Sequence, residues 1–366
     1  MRAAVLNQVG RPLEIEEIDI EAPKAGEVAL RIVASGVCHS DYSVAHGVLH
    51  SPLPVVLGHE GAGVVEAVGE GVDTLEPGDH VIAALTPSCG SCPMCVEGKP
   101  FLCFQMGHTL GRSTLLDGTT RLRRGSERVH QLCGVASFAE RAVIPAGAAI
   151  RVPREAPLEK VCLIGCGVTT GVGAVLNTAR VEPGSSVAVI GCGGVGLSIV
   201  QGARIAAATT IIAIDPVPEK RELACRLGAT HSLDPSAEDV AKAVRGITGF
   251  GVHYAFEALG RTETIEQAWS LLRPTGSAVV VGMPAAREEL KLRVGGFFQQ
   301  KGIMGSAYGS AVPRRDIPRY VELYQKGELE LDALITRRIS LEQVNEAFDD
   351  MERGRGARSV ILMQGS

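Results

Sequence analysis

The stretch "CGSCPMCVEGKPFLC" sets four sulfurs, Cys89, Cys92, Cys95 and Cys103, within fifteen residues. Two C-x-x-C steps and a fourth cysteine eight residues on have the spacing by which thiolates close a tetrahedral zinc site. In an oxidising compartment the same residues would form disulfides. Four sulfur ligands leave no position for a substrate, so an ion here would hold shape and do no chemistry. A second set is dispersed through "GVCHSD", "GHEGAG" and "CLIGCG". Cys38, His59 and one cysteine of the third motif would supply three protein ligands and leave one position open, the pattern of a catalytic zinc. Their separation in the chain means that local spacing does not assemble them. Taken singly, such cysteines are small core residues and such a histidine a hydrogen-bonded turn residue.

"VAVIGCGGVG" carries Gly191, Gly193 and Gly196 as G-x-G-x-x-G directly after an apolar strand, and Asp215 lies nineteen residues beyond the last glycine. The glycines permit a tight turn and bring a pyrophosphate close to a helix N-terminus, whose free N–H groups attract anions. Asp215, at the end of the next strand, would accept hydrogen bonds from the adenosine ribose hydroxyls. Its charge would repel a 2′-phosphate, so NAD is expected over NADP.

The elements that position these groups change character along the chain. Up to about residue 150, short β-rich runs such as "EVALRIVASGV" and "DHVIAAL" alternate with turn residues. From about 185 strands alternate with helices, which implies a parallel sheet covered on both faces. The apolar segment 187–214 resembles a membrane span in composition. Gln201 and Arg204 interrupt it, and strand, glycine turn, helix and second strand explain its order better. The last fifty residues read as two amphipathic helices and a closing strand. At 366 residues the chain exceeds one ordinary core. Its formal net charge of -5 gives no reason to expect nucleic acid or an anionic membrane as partner. The basic run "RLRRGSER" reads as a solvated loop. The N-terminal residues lack a signal-peptide core, so a cytoplasmic location is expected, where ten cysteines stay reduced. That favours metal over disulfides in the first motif.

Together, "GVCHSD", "GHEGAGVVEAVGEGV", "GDHVI", "CGSCPMCVEGKPFLC", "ASFAE", "CLIGCGVTTG" and "GCGGVGL" resemble, in order and nearly end to end, the zinc-containing medium-chain alcohol dehydrogenases. The resemblance implies an α/β protein. A Rossmann doubly wound parallel sheet over 168–307 would join a GroES-like, mostly β catalytic domain formed by 1–167 and 308–366. It implies Cys38, His59 and Cys166 as ligands of a catalytic zinc, with Cys162 outside the set, and two zinc ions per chain. Ser40 matches the hydroxyl that takes the alcohol proton, Asp41 an acceptor that orients the ligating histidine, and Glu60 a carboxylate that approaches the metal. His39 and Arg358 match positions facing the coenzyme phosphates, and Lys220 one near the adenosine ribose. Gly194 joins the glycine turn, and Thr170, Val195, Val281 and Met283 line the coenzyme. Leu49, Leu85, Leu132 and Cys133, with Met283 beside them, match the substrate pocket. Where some members continue the proton path to a histidine, this chain has Ser43, and His46 and His50 lie nearby in sequence.

The implied activity is reversible oxidation of a primary or secondary alcohol, aryl or longer-chain alcohols included, to an aldehyde or ketone with hydride transfer to NAD. Zinc lowers the pKa of bound water from about 15.7 to about 7, and a like effect on an alcohol is worth about 12 kcal/mol. Positioned proton transfer contributes about 10²–10⁴-fold, so the metal dominates. The alternative activity is oxidation of an S-hydroxymethyl thiol adduct of formaldehyde. The segment "TLLDGTTRLRRGSERVHQL" resembles one that longer, dimeric members keep, and Arg112, Arg121, Arg123 or Arg124 within or next to it would bind an anionic substrate. A homodimer is expected.

Overall fold

The computed structural model describes residues 1–285 and 288–363, and its chain forms two compact units. Met1–Cys166 and the chain from Val312 onward make one, and Gly167–Ala311 the other. The domain crossings expected after 167 and 307 thus stand beside divisions after Cys166 and Ala311. Among the described residues no single helix is long and apolar enough to cross a membrane.

The first unit opens with β1 (Arg2–Leu6), β2 (Glu14–Glu17), β3 (Asp19–Ile20) and β4 (Glu27–Gly36), followed by α1 (His39–Ala45). Next come β5 (Val55–Val56), β6 (Glu60–Val68), β7 (His80–Ala83), the single turn α2 (Pro93–Val96), β8 (Leu122–Arg124) and β9 (Glu127–Gln131). β10 (Arg141–Pro145), β11 (Ala149–Arg151) and α3 (Leu158–Val161) lead to the boundary. The second unit runs through α4 (Gly167–Gly173), β12 (Ser186–Ile190), α5 (Gly194–Ile205), β13 (Thr210–Ile214), α6 (Pro218–Arg226) and β14 (His231–Leu233). It continues with α7 (Val240–Thr248), β15 (Val252–Glu257), α8 (Thr262–Leu271), β16 (Leu272–Val280), α9 (Gly295–Phe298) and β17 (Gly302–Gly305). The chain then returns to the first unit as α10 (Pro313–Gln325), β18 (Ile335–Ile339), α11 (Val344–Glu352) and β19 (Arg358–Leu362).

In the first unit a six-stranded sheet runs β2-β1-β5-β9-β8-β3, and a seven-stranded one β11-β7-β6-β4-β19-β18 with β10 also on β4. β4 shows why. Val28, Leu30, Ile32 and Ala34 alternate with less buried residues, so one pleat face enters the core. Its partner β6 carries Gly63, where a Cβ would lie 2.3 Å from the Arg31 carbonyl oxygen, and the register shifts between Ile32 and Ala34. β19 pairs with the same β4, which brings the C-terminal strand to the end where the first dispersed motif begins.

In the second unit β12 "SVAVI" is buried at every residue and β13 "TIIAI" at all but its first, the mark of a sheet covered on both faces. The strand order is β14-β13-β12-β15-β16-β17, all parallel. The chain leaves β12 in one direction and returns beside it as β15, so the order reverses there, the place where such sheets bind ligands beyond their strand ends. The apolar segment 187–214 is thus strand, helix and strand within the parallel sheet. The fold is a Rossmann doubly wound sheet with a GroES-like, mostly β unit.

Candidate functional sites

Cys38 follows β4 as the N-cap of α1, His59 and Glu60 stand at the start of β6, and Cys166 ends the first unit's N-terminal part. All four are buried, and one ligand atom from each lies within 4.8 Å of the others. Asp41, in the first turn of α1, ties two of these segments together. Its Oδ2 accepts from the Cys38 amide at 3.1 Å, and its Oδ1 from the Gly58 amide at 2.9 Å and His59 Nδ1 at 3.0 Å. An ionised carboxylate only accepts, so Nδ1 donates the proton and Nε2 is the nitrogen left for a metal. That Nε2 is buried and has no hydrogen-bond partner.

The buried groups act strongly on one another. A hydrogen bond from Cys166 holds the Cys38 thiol well below its usual range, against burial, and the His59 charge adds to it. The same bond, with burial, pushes Cys166 well above its own. Burial opposes charge on His59, yet Asp41 and Cys38 raise its pKa well above normal. Two sulfurs, an aimed imidazole nitrogen and a carboxylate in a dry cluster fit a zinc ion. Cys162 is not among them. Its thiol, pushed up to about 12 by burial, donates to the Glu159 carbonyl at 3.5 Å.

Glu60 of this cluster has neighbours that motif spacing did not reveal. Arg358, on β19, is buried and ion-paired with Glu60, so the arginine expected to face coenzyme phosphates also holds the carboxylate beside the metal ligands. Gly36, at the end of β4, leaves the room: a Cβ there would lie 2.1 Å from Glu60 Oε2. The "SG" of "ASGVCHS" was the available signal.

Ser40 is half-buried on α1, and His39 is exposed. Ser43 is half-buried. His46 is exposed, stacked on Tyr42 at 3.9 Å with Nδ1 2.9 Å from the Tyr42 carbonyl, and His50 is exposed. Leu132 and Cys133 are buried in the unit's core, where half-buried Leu49, Leu85 and Tyr42 pack, as does Leu110, which sequence reasoning did not select. Burial pushes the Cys133 thiol up to about 12, and the charges of His59, Asp41 and Cys38 act on it.

The second sulfur group, Cys89, Cys92, Cys95 and Cys103, also gathers within 4.8 Å. Cys92 Sγ lies 3.6 Å from Cys95 Sγ and 3.9 Å from Cys103 Sγ, and none of these cysteines is in a disulfide. The Cys89 amide donates to Cys103 Sγ at 3.4 Å and the Cys92 amide to Cys89 Sγ at 3.3 Å, contacts that favour thiolates. Donation from Ser91 and Cys92 lowers Cys89 to about 6, while burial and neighbouring sulfurs push Cys95 up to about 12. A four-sulfur zinc fits this group.

The basic run is where the sequence reading fails. Residues 121–128 are no solvated loop but the strands and turn of the β8–β9 hairpin, with Gly125 in a left-handed conformation. Arg121 is fully buried, pairing with Glu27 at 2.5 Å and Asp117 at 2.7 Å. Arg123 pairs with Glu21, and Arg124 with Glu16 and Glu127. Acidic residues between 14 and 27 supply most of the counter-charges, which a reading by local composition does not see. Of the four arginines proposed for an anionic substrate, these three have carboxylate partners, and Arg112 is exposed.

In the second unit Gly191 ends β12 in a left-handed conformation, Gly193 caps α5, and Gly194 begins it. A Cβ on Gly196 would lie 1.7 Å from the Gly191 carbonyl oxygen, so only glycine lets helix and strand meet. A Cβ on Gly193 would meet nothing within 4 Å, which leaves open space before the free amides of the first helical turn, Val195 included. Asp215 follows β13, accepting from the Cys192 amide at 2.8 Å and the Val217 amide at 2.9 Å. Lys220 is half-buried on α6 and Thr170 half-buried on α4. Val281 donates to the Glu257 carbonyl at 2.8 Å, and Met283 is 69% exposed. The glycine turn and the acid beyond the next strand fit a dinucleotide.

A Rossmann unit with a dinucleotide-type turn, coupled in one chain to a GroES-like unit with two zinc-type clusters, defines an oxidoreductase of the zinc-binding dehydrogenase class. Residues 24–154 match the alcohol dehydrogenase GroES-like domain and residues 194–326 the zinc-binding dehydrogenase domain. The chain is 42% identical to an S-(hydroxymethyl)glutathione dehydrogenase from Synechocystis sp. over 98% of its own length and 99% of the relative's. An alcohol dehydrogenase zinc-binding domain protein from Burkholderia ambifaria superposes with a TM-score of 0.95 at 41% identity, covering 99% of this chain and 98% of the other. Benzyl alcohol dehydrogenase from Acinetobacter calcoaceticus does so with a TM-score of 0.95 at 34% identity, covering 99% of each. The chain belongs to the zinc-containing medium-chain alcohol dehydrogenase family.

Proposed function

We propose that the protein is an NAD-dependent dehydrogenase of CH–OH carbons whose preferred substrate is the S-hydroxymethyl adduct of formaldehyde with a low-molecular-weight thiol. The observation that carries the metal-dependent chemistry is the unpartnered, buried Nε2 of His59 among two sulfurs and a carboxylate. The 42% identity to an S-(hydroxymethyl)glutathione dehydrogenase supports the choice of substrate. When bound by Cys38, His59 and Cys166, zinc supplies a Lewis acid that makes the hydroxyl proton easy to remove, and NAD, when bound by the glycine turn, takes up the hydride.

The chain's own residues do the rest. Asp41 engages Nδ1 of the imidazole and so leaves Nε2 for the metal. Ser40, half-buried beside that aspartate, receives the hydroxyl proton and passes it to water. Leu49 and Leu85, half-buried against the core that holds Leu132 and Cys133, would keep the reacting carbon dry. The adduct R–S–CH2–OH loses one hydride and one proton and becomes the thioester R–S–CHO.

A second reading, an aryl alcohol dehydrogenase, is favoured by those same apolar residues, by the three paired arginines and by the likeness to benzyl alcohol dehydrogenase. NADH absorbance decides between them. Formaldehyde with glutathione is expected to give the higher kcat/KM, and benzyl alcohol winning while the adduct is inert would establish the second reading instead.

A further inference from the structure

Resting on the reading of NAD as coenzyme, the structure contains a cation that would suit a 2′-phosphate and that a second carboxylate withholds. β13 and β14 are parallel neighbours with Ile214 opposite Leu233, so the residues that follow them, Asp215 and Asp234, emerge side by side at the end of the sheet that binds ligands. Arg221, on α6, lies between them. Its Nη1 donates to the Asp215 carbonyl at 2.6 Å, and its Nη2 lies 3.2 Å from Asp234 Oδ2. Asp234 is itself anchored, its Oδ1 accepting from the Ser236 amide at 2.9 Å and the Ser236 hydroxyl at 2.5 Å. Those Ser236 bonds, with the Arg221 charge, hold the Asp234 carboxyl below its usual range.

We infer that Asp234 is a coenzyme-specificity residue: it pins and neutralises Arg221, the guanidinium beside Asp215 that would otherwise take up the 2′-phosphate of NADP. Asp215 excludes that phosphate by repulsion, and Asp234 by occupying its partner. An arginine near this strand end is the group that accommodates a 2′-phosphate in dinucleotide-binding sheets, and its fork suits phosphate oxygens. The Arg221–Asp234 pair is part-exposed, with side chains 17% and 23% accessible, so releasing it costs little. Discrimination against NADP thus rests on two acids, and removing Asp215 alone leaves the cation engaged.

Calorimetric binding of ADP and of adenosine 2′,5′-diphosphate reads this without turnover or the catalytic metal. In an Asp215→Ser background, Asp234→Asn is expected to tighten the 2′,5′-diphosphate about fivefold or more, with ADP changed less than twofold. Adding Arg221→Gln should erase the gain. Asp234→Asn keeps a side-chain acceptor for Ser236, and an unchanged melting temperature confirms that it folds. Equal binding of the 2′,5′-diphosphate with and without Asp234→Asn, or a gain that survives Arg221→Gln, overturns the assignment. Wild-type protein that binds NADP as tightly as NAD overturns the coenzyme reading itself, whatever the Asp234 variants do.

Discussion

Asp41 divides two carboxylate oxygens among three donors, the amides of Cys38 and Gly58 and the imidazole of His59. Asparagine in its place keeps one acceptor and turns an NH2 group toward a second donor. Asp41→Asn is therefore expected to weaken zinc affinity about 10–100-fold, measured by competition with a chromophoric chelator. Among the described residues the Ser40 hydroxyl makes no hydrogen bond to the metal ligands or to Asp41. Ser40→Ala should lower kcat by about 10²–10⁴-fold with both zinc ions retained by elemental analysis, and near-normal turnover would remove it from the proton path. His46 and His50 are both exposed, and Tyr42 holds the first by stacking. Replacing either with alanine should leave the pH profile of kcat in place. Gly36→Ala forces the Glu60 carboxylate aside, so turnover should fall while the metal count stays at two.

Strands and hairpins raise a different question, since their chemistry is that of buried charge. The hairpin of β8 and β9 ties down its lobe through Arg121, whose two carboxylate partners come from β4 and from Asp117. Arg121→Met would leave Glu27 buried without a cation. A loss of about 3–5 kcal/mol is expected, read by urea denaturation, and pairing the change with Glu27→Leu should recover part of it. In the Rossmann sheet, β12 and β15 start with a Ser186–His253 contact in which the Ser186 amide and hydroxyl approach His253 Nδ1 at 3.0 and 2.7 Å. Burial, with the Arg273 charge, lowers the imidazole pKa. A histidine whose folded pKa lies below its unfolded value of about 6.5 stabilises above that pH, and the contribution is lost as pH falls through the folded value. The melting-temperature advantage of wild type over His253→Gln should therefore shrink between about pH 7 and pH 5. Elements of this kind were partly legible in sequence. The strands β12 and β13, apolar after their first residues, and the glycine turn between them declare themselves within thirty residues. The hairpin did not, because what makes "RLRRGSER" a strand pair is acid lying a hundred residues earlier.

Across the whole molecule the same division holds. Four cysteines in fifteen residues announce their cluster because the ligands share one local turn. Cys38, His59 and a cysteine of the third motif could be named from residue type, but local spacing could not assemble them, since β4 and β6 must pair before two of them meet; the family resemblance chose Cys166. Nothing local told Glu60 that its partner would be Arg358, which reaches it only because β19 closes onto β4. The roles of single residues were least legible where they depend on such closure.

The two sulfur-bearing clusters differ in one respect that governs handling of the protein. Cys38, His59 and Cys166 are buried, whereas Cys89, Cys92 and Cys95 stand partly open to solvent. A hydrophilic scavenger such as EDTA reaches the open quartet first, so stripping should proceed in two kinetic phases. The early one releases one equivalent and softens the protein toward proteases while turnover persists; only the late one silences it. Shelf life would then be limited by the ion that performs no chemistry, and trace zinc in the storage buffer would extend it.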